Sequence, residues 1–404
     1  MDFIGIRCQY KPRRACLQFL LTFVVRRSQG ELMLIVAAIL AIFVYGMIAA
    51  MLGTILPELS ERFKLTPKQN GSIAFSQAMG LIIASLLVGP LVDNQGKQVG
   101  LVLGLALISL ALFALPNSKG YTSVALYMLL LGLGGGIIVT GANALVSDIS
   151  EERRATTLNF LNLFFGLGGL ATPFISANLF SRNAVKLCYG TGILSAITLV
   201  VHIFAPIPGP TGARGFDLAE ASLLLGNPTL YLLSAFLFLY VASEVGVWNW
   251  LVRHLIAQGI PESRALNVLS LGFALGLLIG RVAVSPILIT VPAAQVTLAA
   301  AAFMTVTTYL MLQTKDPKIA WILVFLAGVA MAPVFPTTLA IVGDKFPKMT
   351  ATAMGIVITF GWIGLAVSSR LIGAVAGTDP KRLKTALLVL PAASVLMVLV
   401  NLAF

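Results

Sequence analysis

The sequence predicts an all-α membrane protein with twelve transmembrane helices arranged as two pseudo-symmetric six-helix bundles. Hydrophobic residues make up 58% of the 404 positions and charged residues only 10%, whereas a soluble domain carries about 25% charged residues. Apolar stretches long enough to cross a hydrocarbon layer, roughly 20 residues each, recur along the chain. Because lipid offers the backbone no hydrogen-bond partners, such stretches must be helical.

The apolar stretches are numbered as spans 1–12 in chain order, with short polar gaps between them. Their predicted bounds are 32–56, 71–92, 98–116, 121–147, 155–180, 185–206, 228–251, 264–289, 292–313, 318–343, 349–375 and 384–404.

Two polar segments divide the chain. Residues 207–227, rich in Pro and Gly, predict a cytoplasmic linker between an N-terminal half, 31–206, and a C-terminal half, 228–404. Residues 1–30 are predicted to be a basic N-terminal tail. Their apolar run, 15–25, is too short to span, and Lys and Arg flank it where a signal peptide would carry small residues. An over-extended start codon is the alternative explanation for this tail.

An internal repeat supports the division into halves. Residues 165–171 read FGLGGLA and residues 360–366 read FGWIGLA, an offset of 195 positions. The loops just before them, DISEERRATT and DKFPKMTAT, also align. A duplicated six-span unit predicts an offset of this kind.

Charge and cysteine content exclude several classes of function. A net charge of +12 would suggest nucleic-acid binding in a soluble protein, but these Lys and Arg residues lie in loops, where they anchor helix ends at lipid headgroups. The three Cys and two His residues lack ligand spacing, so we expect no metal and no cofactor. Since no phosphate-binding loop or nucleophile elbow is present either, the sequence predicts that the protein is not an enzyme.

The loop between spans 2 and 3 reads GPLVDNQGK at 89–97. Gly89 leaves room for another helix to approach, and Asp93 can accept hydrogen bonds from a helix N-terminus. Gly96 permits a tight turn and Lys97 supplies a counter-charge. This stretch resembles the G-x-L-x-D-x-x-G-[RK] signature of the major facilitator superfamily, and a plain turn capped by the aspartate is the alternative.

That resemblance implies the major facilitator fold, in which the loop is cytoplasmic and latches the two halves together in the outward-open state. It also implies a multi-pass protein of the inner (plasma) membrane with both termini cytoplasmic. Asn94 and Gln98 replace basic residues common in the motif, so we expect a thinner charge network here.

A narrower resemblance covers most of the chain. Residues 330–337, AMAPVFPT, look like the A-P-x-F-P stretch of fucose- and glucose-permease-type facilitators. Residues 141–143 are similar to their A-A-N element, and 240–250 to their Y-x-G-x-E…W pattern. The resemblance implies monosaccharides or related polyols, often moved with H⁺ or Na⁺. It departs from the family at Val139 and Thr140, where some fucose permeases carry an acidic residue.

Polar side chains inside spans are costly in lipid and usually face a cavity, so they are the candidate site. Tyr240, Glu244 and Trp248 follow one another at four-residue intervals and share a helix face. A carboxylate between two aromatic rings suits a sugar, and Glu244 is also the predicted coupling residue. An ion pair of Glu244 with Arg253 or Arg370, serving packing alone, is the alternative.

Amide side chains extend the predicted substrate site. Asn143, Asn159 and Asn162 come from spans 4 and 5, and amides both donate and accept hydrogen bonds. Hydrogen bonding between helices without a ligand would explain them equally well. In span 8, Asn267 is added to the site. It lies near the face of Arg281, because fourteen residues is close to four helical turns. Arg281 itself is assigned to the conformational latch.

Two features disagree about the charge of the solute. The asparagines and the Tyr240–Glu244–Trp248 face favour a neutral polyhydroxylated ligand, whereas Arg370 would suit an anion. We expect the neutral ligand, because Arg370 lies near the outer end of its span and can extend to water. The sequence thus predicts a secondary active transporter that moves a monosaccharide or polyol, coupled to H⁺ or Na⁺, by alternating access. The alternatives are a transporter of an organic anion, drug or lipid, and a membrane scaffold or receptor of the same fold.

Overall fold

The computed structural model describes residues 29–181, 183–209, 218–314, 316–376 and 380–404. Within these ranges it contains twelve helical segments long and apolar enough to cross a membrane, and no strand. The prediction of an all-α fold with twelve spans is therefore confirmed. Most of the predicted basic tail, residues 1–28, lies outside the described residues.

The spans of the N-terminal half are single helices. Spans 1–6 are Gln29–Phe63, Pro67–Gln95, Lys97–Ala114, Tyr121–Asp148, Arg154–Asn178 and Ala184–Phe204. Short 3₁₀ turns, Leu115–Asn117 and Glu151–Arg153, follow spans 3 and 4.

Three spans of the C-terminal half are built from more than one helix. Span 7 is Pro228–Ala257; span 8 is Glu262–Asn267, the π-helix Val268–Ala274 and Leu275–Ile287; span 9 is Ala293–Gln313; span 10 is Pro317–Met331 and Val334–Lys345; span 11 is Thr350–Ala376; span 12 is Pro380–Leu387 and Val389–Asn401. A short helix, Leu218–Leu225, lies within the predicted linker, and the 3₁₀ turn Pro347–Met349 precedes span 11.

Local signals in the sequence explain where several spans begin. Span 2 starts with a capping box. The Thr66 hydroxyl accepts from the backbone N–H of Gln69, and the side-chain oxygen of Gln69 accepts from the backbone N–H of Thr66. Asn227 caps span 7 and Asp316 caps span 10. In all three cases proline occupies the first helical position, where its missing N–H costs nothing.

Each half packs its spans in the same way. Span 5 lies against span 1, where Gly168 meets the backbone at Phe43, and span 11 lies against span 7, where Gly364 meets the backbone at Phe238. Added Cβ atoms would overlap backbone in both places, so glycine sets the distance between the helices. The two contacts involve the repeated segments 165–171 and 360–366. The repeat in the sequence therefore corresponds to a similar helix–helix contact in each half.

The halves meet at one end of the bundle, which we call the closed end. There Asp93 of span 2 binds Ala351 and Thr352 of span 11, and Arg154 of span 5 pairs with Asp344 of span 10. Toward the opposite end the halves separate around a cavity, and spans 1 and 7 face each other across it. The fold thus encloses a space that is sealed at one end only.

A central cavity as the candidate binding site

The cavity between the halves has a volume of about 450 Å³, within the range of about 300–1,000 Å³ typical of small-molecule sites. Spans 1, 2, 4, 5, 7, 8, 10 and 11 contribute to its wall. The lining residues include Tyr45, Ile48, Ala49, Leu52, Ala74, Gln77, Ala78, Leu81, Leu131, Val139, Asn162, Phe165, Val241, Glu244, Val245, Trp248, Asn249, Arg281, Phe335, Trp362 and Leu365.

Glu244 and Arg281 are the charged residues among those that line the cavity. The Glu244 carboxylate lies close to the Arg281 guanidinium and is flanked by Tyr240 and Trp248, one helical turn to either side. Arg281 is only 5% exposed. Buried charges of opposite sign stabilise each other where neither would be tolerated alone. With both groups ionised, the cavity therefore carries no net charge.

Arg281 also connects the two halves. Its Nη1 donates to the backbone carbonyl of Asn162 in span 5 over 2.7 Å. Its Nε donates to the carbonyl of Ala332, at the break between the two helices of span 10, over 3.5 Å. One side chain thereby links span 8 to a residue of the opposite half that itself lines the cavity.

Neutral amides supply the remaining hydrogen-bonding capacity. Asn162 Nδ2 donates to Asn143 Oδ1 over 2.8 Å, so Asn143 orients the asparagine that reaches the cavity. In span 2, Gln77 Nε2 donates to the carbonyl of Ile48 over 3.3 Å. Asn249 adds a third amide on span 7. Amides can serve solute hydroxyl groups as either donor or acceptor.

Aromatic rings form much of the wall between these polar groups. Tyr45 and Phe165 contact each other with centroids 5.1 Å apart. Trp248 packs edge-to-face on Phe273, 5.2 Å between centroids, and is itself 39% exposed. Trp362 Nε1 donates to Ser85 Oγ of the other half over 3.3 Å. Rigid ring faces next to amides can cover the apolar face of a ring-shaped hydroxylated ligand.

The closed end is organised by the loop at 89–97. Asp93 accepts from Ala351 N at 3.2 Å, from Thr352 N at 2.8 Å and from Thr352 Oγ1 at 2.7 Å, at the first turn of span 11. An anion in this position satisfies free N–H groups and the positive end of the helix dipole. A Cβ on Gly89 would lie 2.5 Å from Thr352 Cα, so only glycine allows the two spans to approach this closely.

The rest of the loop acts within the N-terminal half. Lys97 Nζ pairs with Asp148 Oδ2 at 2.6 Å, which ties span 3 to the end of span 4. Gly96 has a φ of 95°, a conformation that favours glycine. Gln98 Nε2 donates to the carbonyls of His202, Ile203 and Ala205 over 3.0–3.2 Å and so caps the end of span 6.

The family model described as Major Facilitator Superfamily matches residues 38–369. The chain belongs to the Major Facilitator Superfamily. A mouse relative named sodium-dependent glucose transporter 1A is 22% identical over 82% of this chain and 86% of its own length.

Two solved superfamily structures share the fold. The E. coli fucose:proton symporter FucP, seen in the outward conformation, has a TM-score of 0.79 at 18% identity and covers 93% of this chain and 99% of its own. The human organic anion transporter MFSD10 has a TM-score of 0.74 at 15% identity, with 93% and 99% covered. At these identities the likeness shows that the fold is shared.

Of the residues predicted from sequence, Glu244, Trp248 and Asn162 line the cavity of this superfamily member. Tyr240 is fully buried behind Glu244, and Asn143 is fully buried behind Asn162. The five thus form two groups, one on spans 4 and 5 and one on span 7, and Arg281 interacts with both. Asn159 lies deeper, toward the closed end, where its Nδ2 donates to Thr337 Oγ1 of the opposite half over 2.9 Å.

Asn267 does not reach the cavity: its side chain is exposed, whereas Arg281 is buried. The sequence-based argument assumed a regular α-helix between the two residues, but the π-helix Val268–Ala274 intervenes. Because a π-helix has more residues per turn, the face changes across it. Arg281, which we assigned to the latch, lies at the cavity beside Glu244, and Asp93 meets span 11 instead.

The partners proposed as alternatives for Glu244 lie elsewhere. Arg253 stacks over the Trp250 ring at 5.3 Å, and Arg370 is exposed. Sequence reasoning also missed Tyr45 and Gln77, which is the only amide residue within the predicted bounds of span 2, 71–92. Gln77 carried a usable signal, since an intramembrane amide usually faces a cavity. Tyr45 carried none, because aromatic residues are common on every face of a membrane helix.

Proposed function

We propose that this protein is a secondary active transporter that moves a monosaccharide or related polyol by alternating access, coupled to H⁺ or Na⁺. The observation that carries the proposal is the composition of the cavity: a mutually neutralised acid and base, three amides, and aromatic rings on several walls. Hydroxyl groups need donors and acceptors in close alternation, and a neutral ring needs flat apolar faces. A site without net charge favours an uncharged solute.

Coupling is proposed at Glu244. A carboxylate that lines a cavity beside its counter-ion can bind a proton or a cation when the solute binds, and release it on the other side. The cycle would begin as the structure stands, with the cavity facing away from the closed end. The closed end, with the loop at 89–97, is proposed to be cytoplasmic in the inner (plasma) membrane.

The test is counterflow of labelled monosaccharides in liposomes containing the purified protein, preceded by a thermal-shift screen of sugars, polyols and sugar acids. We expect a hexose or polyol to bind, and Asn162→Ala to weaken its affinity at least about tenfold, because an amide hydrogen bond to the solute is lost. Asn267→Ala is the matched control, since this asparagine is exposed away from the cavity. Equal affinity in the two variants would contradict the proposed site.

An organic anion is the second candidate solute, and Arg281 in the cavity is the observation that favours it. An anion would have to displace Glu244 from Arg281 or bind when that carboxyl group is protonated. Competition with matched pairs, glucose against glucuronate, distinguishes the two. Preference for the acid at every pH tested, lost in Arg281→Gln, would replace the neutral solute by an anionic one.

A further inference from the structure

Three fully buried polar atoms in the seal between the cavity and the closed end have no hydrogen-bond partner among the described residues. They are Thr140 Oγ1, Ser147 Oγ and Asn159 Oδ1, and the exposed fraction of each residue is 0%. A buried polar atom without a partner has lost its bonds to water and gained nothing in exchange, which is unfavourable. Their common position therefore requires an explanation.

All three residues lie where the halves meet. Thr140 Cγ2 would be 3.6 Å from a Cβ on Gly355 of span 11, and Ser147 Oγ occupies the space that a Cβ on Gly343 of span 10 would need. Asn159 bonds through Nδ2 to Thr337 of span 10. Each of these three residues of the N-terminal half thus lies next to the C-terminal half and would lose that neighbour if the two halves separated here.

The three residues also descend in depth from the cavity to the closed end. Thr140 follows Val139, which lines the cavity, and Asn159 lies about one helical turn below Asn162, which lines it too. Ser147 is about 10 Å further along span 4 than Thr140. The Ser147 carbonyl accepts from Arg154 Nε over 2.9 Å, and Arg154 pairs with Asp344 at the closed end itself.

We propose that Thr140, Asn159 and Ser147, together with Thr337, line the inner pathway by which a hydroxylated solute leaves the cavity once the closed end opens. The inference rests on the proposed function, because it assumes that the halves alternate. In the sealed state Thr140 Oγ1, Asn159 Oδ1 and Ser147 Oγ are unpaired among the described residues, whereas in the open state water or solute hydroxyls bond to them. They therefore destabilise the sealed state and so keep the free-energy difference between the sealed and open states small.

Cysteine accessibility tests the pathway without any knowledge of the solute. Thr140→Cys, Ser147→Cys and Asn159→Cys are made singly in a background where Cys8, Cys16 and Cys188 are serine. A membrane-impermeant maleimide is applied to vesicles of each orientation. We expect all three positions to react from the closed-end side, and faster when Asp93→Asn weakens the latch.

The matched control is Ser195→Cys, which is equally buried but bonds to Ser109 between spans 3 and 6 of one half. That interface does not open when the halves alternate, so Ser195→Cys should stay unreactive. Reaction at the three positions no faster than at Ser195→Cys, with the latch weakened as well as intact, would overturn the inference.

Removing an orphaned hydroxyl tests its energetic role. Thr140→Val keeps the shape of the side chain and removes an unpaired oxygen from the seal. Because the sealed state is then more stable, labelling of Ser147→Cys should slow about tenfold. Thr198→Val is the control, because the Thr198 hydroxyl is bonded to the Leu194 carbonyl over 2.8 Å in span 6. An unchanged or faster rate in Thr140→Val would contradict the role.

Transport assays on the same variants separate this inference from the proposed function. If sugars are transported but the three cysteines do not react, the pathway is wrong and the function stands. If the cysteines react from the closed-end side and no sugar or polyol is bound or transported, the pathway stands and the proposed solute is wrong.

Discussion

At the scale of single residues, the central feature is that Arg281 interacts with both halves at once. It lies beside the Glu244 carboxylate of its own half and donates to the Asn162 carbonyl of the other half. Asn162 also lines the cavity. Arg281 therefore contacts the cavity wall, the charged Glu244 and the opposite half with one side chain. Any change in the charge of Glu244 therefore alters the group that ties the halves together.

We predict that Glu244→Gln abolishes uphill accumulation but leaves exchange of solute across the membrane. Glutamine has the same shape and can still form hydrogen bonds, but it cannot take up a proton. Accumulation driven by an imposed gradient and counterflow without a gradient are measured in the same liposomes. Wild-type accumulation in the variant would show that coupling resides elsewhere.

We predict that Arg281→Lys lowers the transport rate at least about tenfold, because a single ammonium lacks the planar fork that reaches two or three acceptors. Arg370→Gln serves as the control and should transport at the wild-type rate, since Arg370 is exposed. Initial rates of uptake are measured for both variants and for the wild type. A strong defect in Arg370→Gln with a mild one in Arg281→Lys would reverse the assignment.

Residue types and spacing identified part of this site but not its pairing. Tyr240, Glu244 and Trp248 were predictable because an uninterrupted α-helix fixes which side chains share a face. Arg281 was assigned to the latch because sequence alone gives no distance between span 8 and either Glu244 or Asp93. Contacts between spans depend on tertiary packing, and one helix cannot reveal them.

At the scale of elements, spans 2 and 11 of the two halves are joined through a helix end. Span 11 begins with N–H groups that lack partners in their own helix, and Asp93 supplies the acceptor from the opposite half. Breaking this contact exposes both groups to water, where they are again satisfied. In the proposed cycle this contact can therefore open without unfolding either helix.

We predict that Asp93→Asn slows transport several-fold, because a neutral amide loses the charge-assisted hydrogen bonds, worth about 1.5–3 kcal/mol each. Solute affinity should change only through the balance of the two conformations. Affinity is measured in protein cross-linked in each state. A similar loss of affinity in both cross-linked forms would assign Asp93 to recognition.

We also predict that Gly89→Ala shifts the protein away from the closed conformation, because the added methyl group would overlap the Thr352 backbone. Gly53→Ala is its control, since nothing lies within 4 Å of a Cβ at Gly53. Accessibility of the closed end to a soluble maleimide should rise in the first variant only. Equal accessibility in both would mean that the spans can part slightly at no cost.

The π-helix in span 8 marks where element-level prediction failed. Apolar length predicted the existence of the span, but the register shift at Val268–Ala274 leaves no mark in hydropathy. It turned Asn267 outward and placed Phe273 against Trp248. Irregular segments of this kind are stabilised by neighbouring spans, so a sequence pattern based on a constant period cannot anticipate them.

At the scale of the whole molecule, hydrogen bonds between the halves extend from the cavity floor to the closed end. Asn162–Arg281, Asn159–Thr337, Thr156–Ser285 and Asp93–Thr352 are examples. The length of the apolar stretches predicted the twelve spans, and the internal repeat predicted the duplicated unit. Which end is closed could not be predicted, because the contacts that join the halves there, such as Asp93–Thr352, depend on tertiary packing.

The neutral pairing in the cavity has a consequence for the membrane potential. Moving one elementary charge through 100 mV involves about 2.3 kcal/mol. In the proposed cycle, however, Glu244 and Arg281 would move together on the C-terminal half, and their charges, when both are ionised, would cancel. Return of the empty carrier should then be insensitive to voltage. Current would arise only in the half-cycle that carries a bound cation, and recordings on a supported membrane would detect it as a transient that appears when solute and cation are added together.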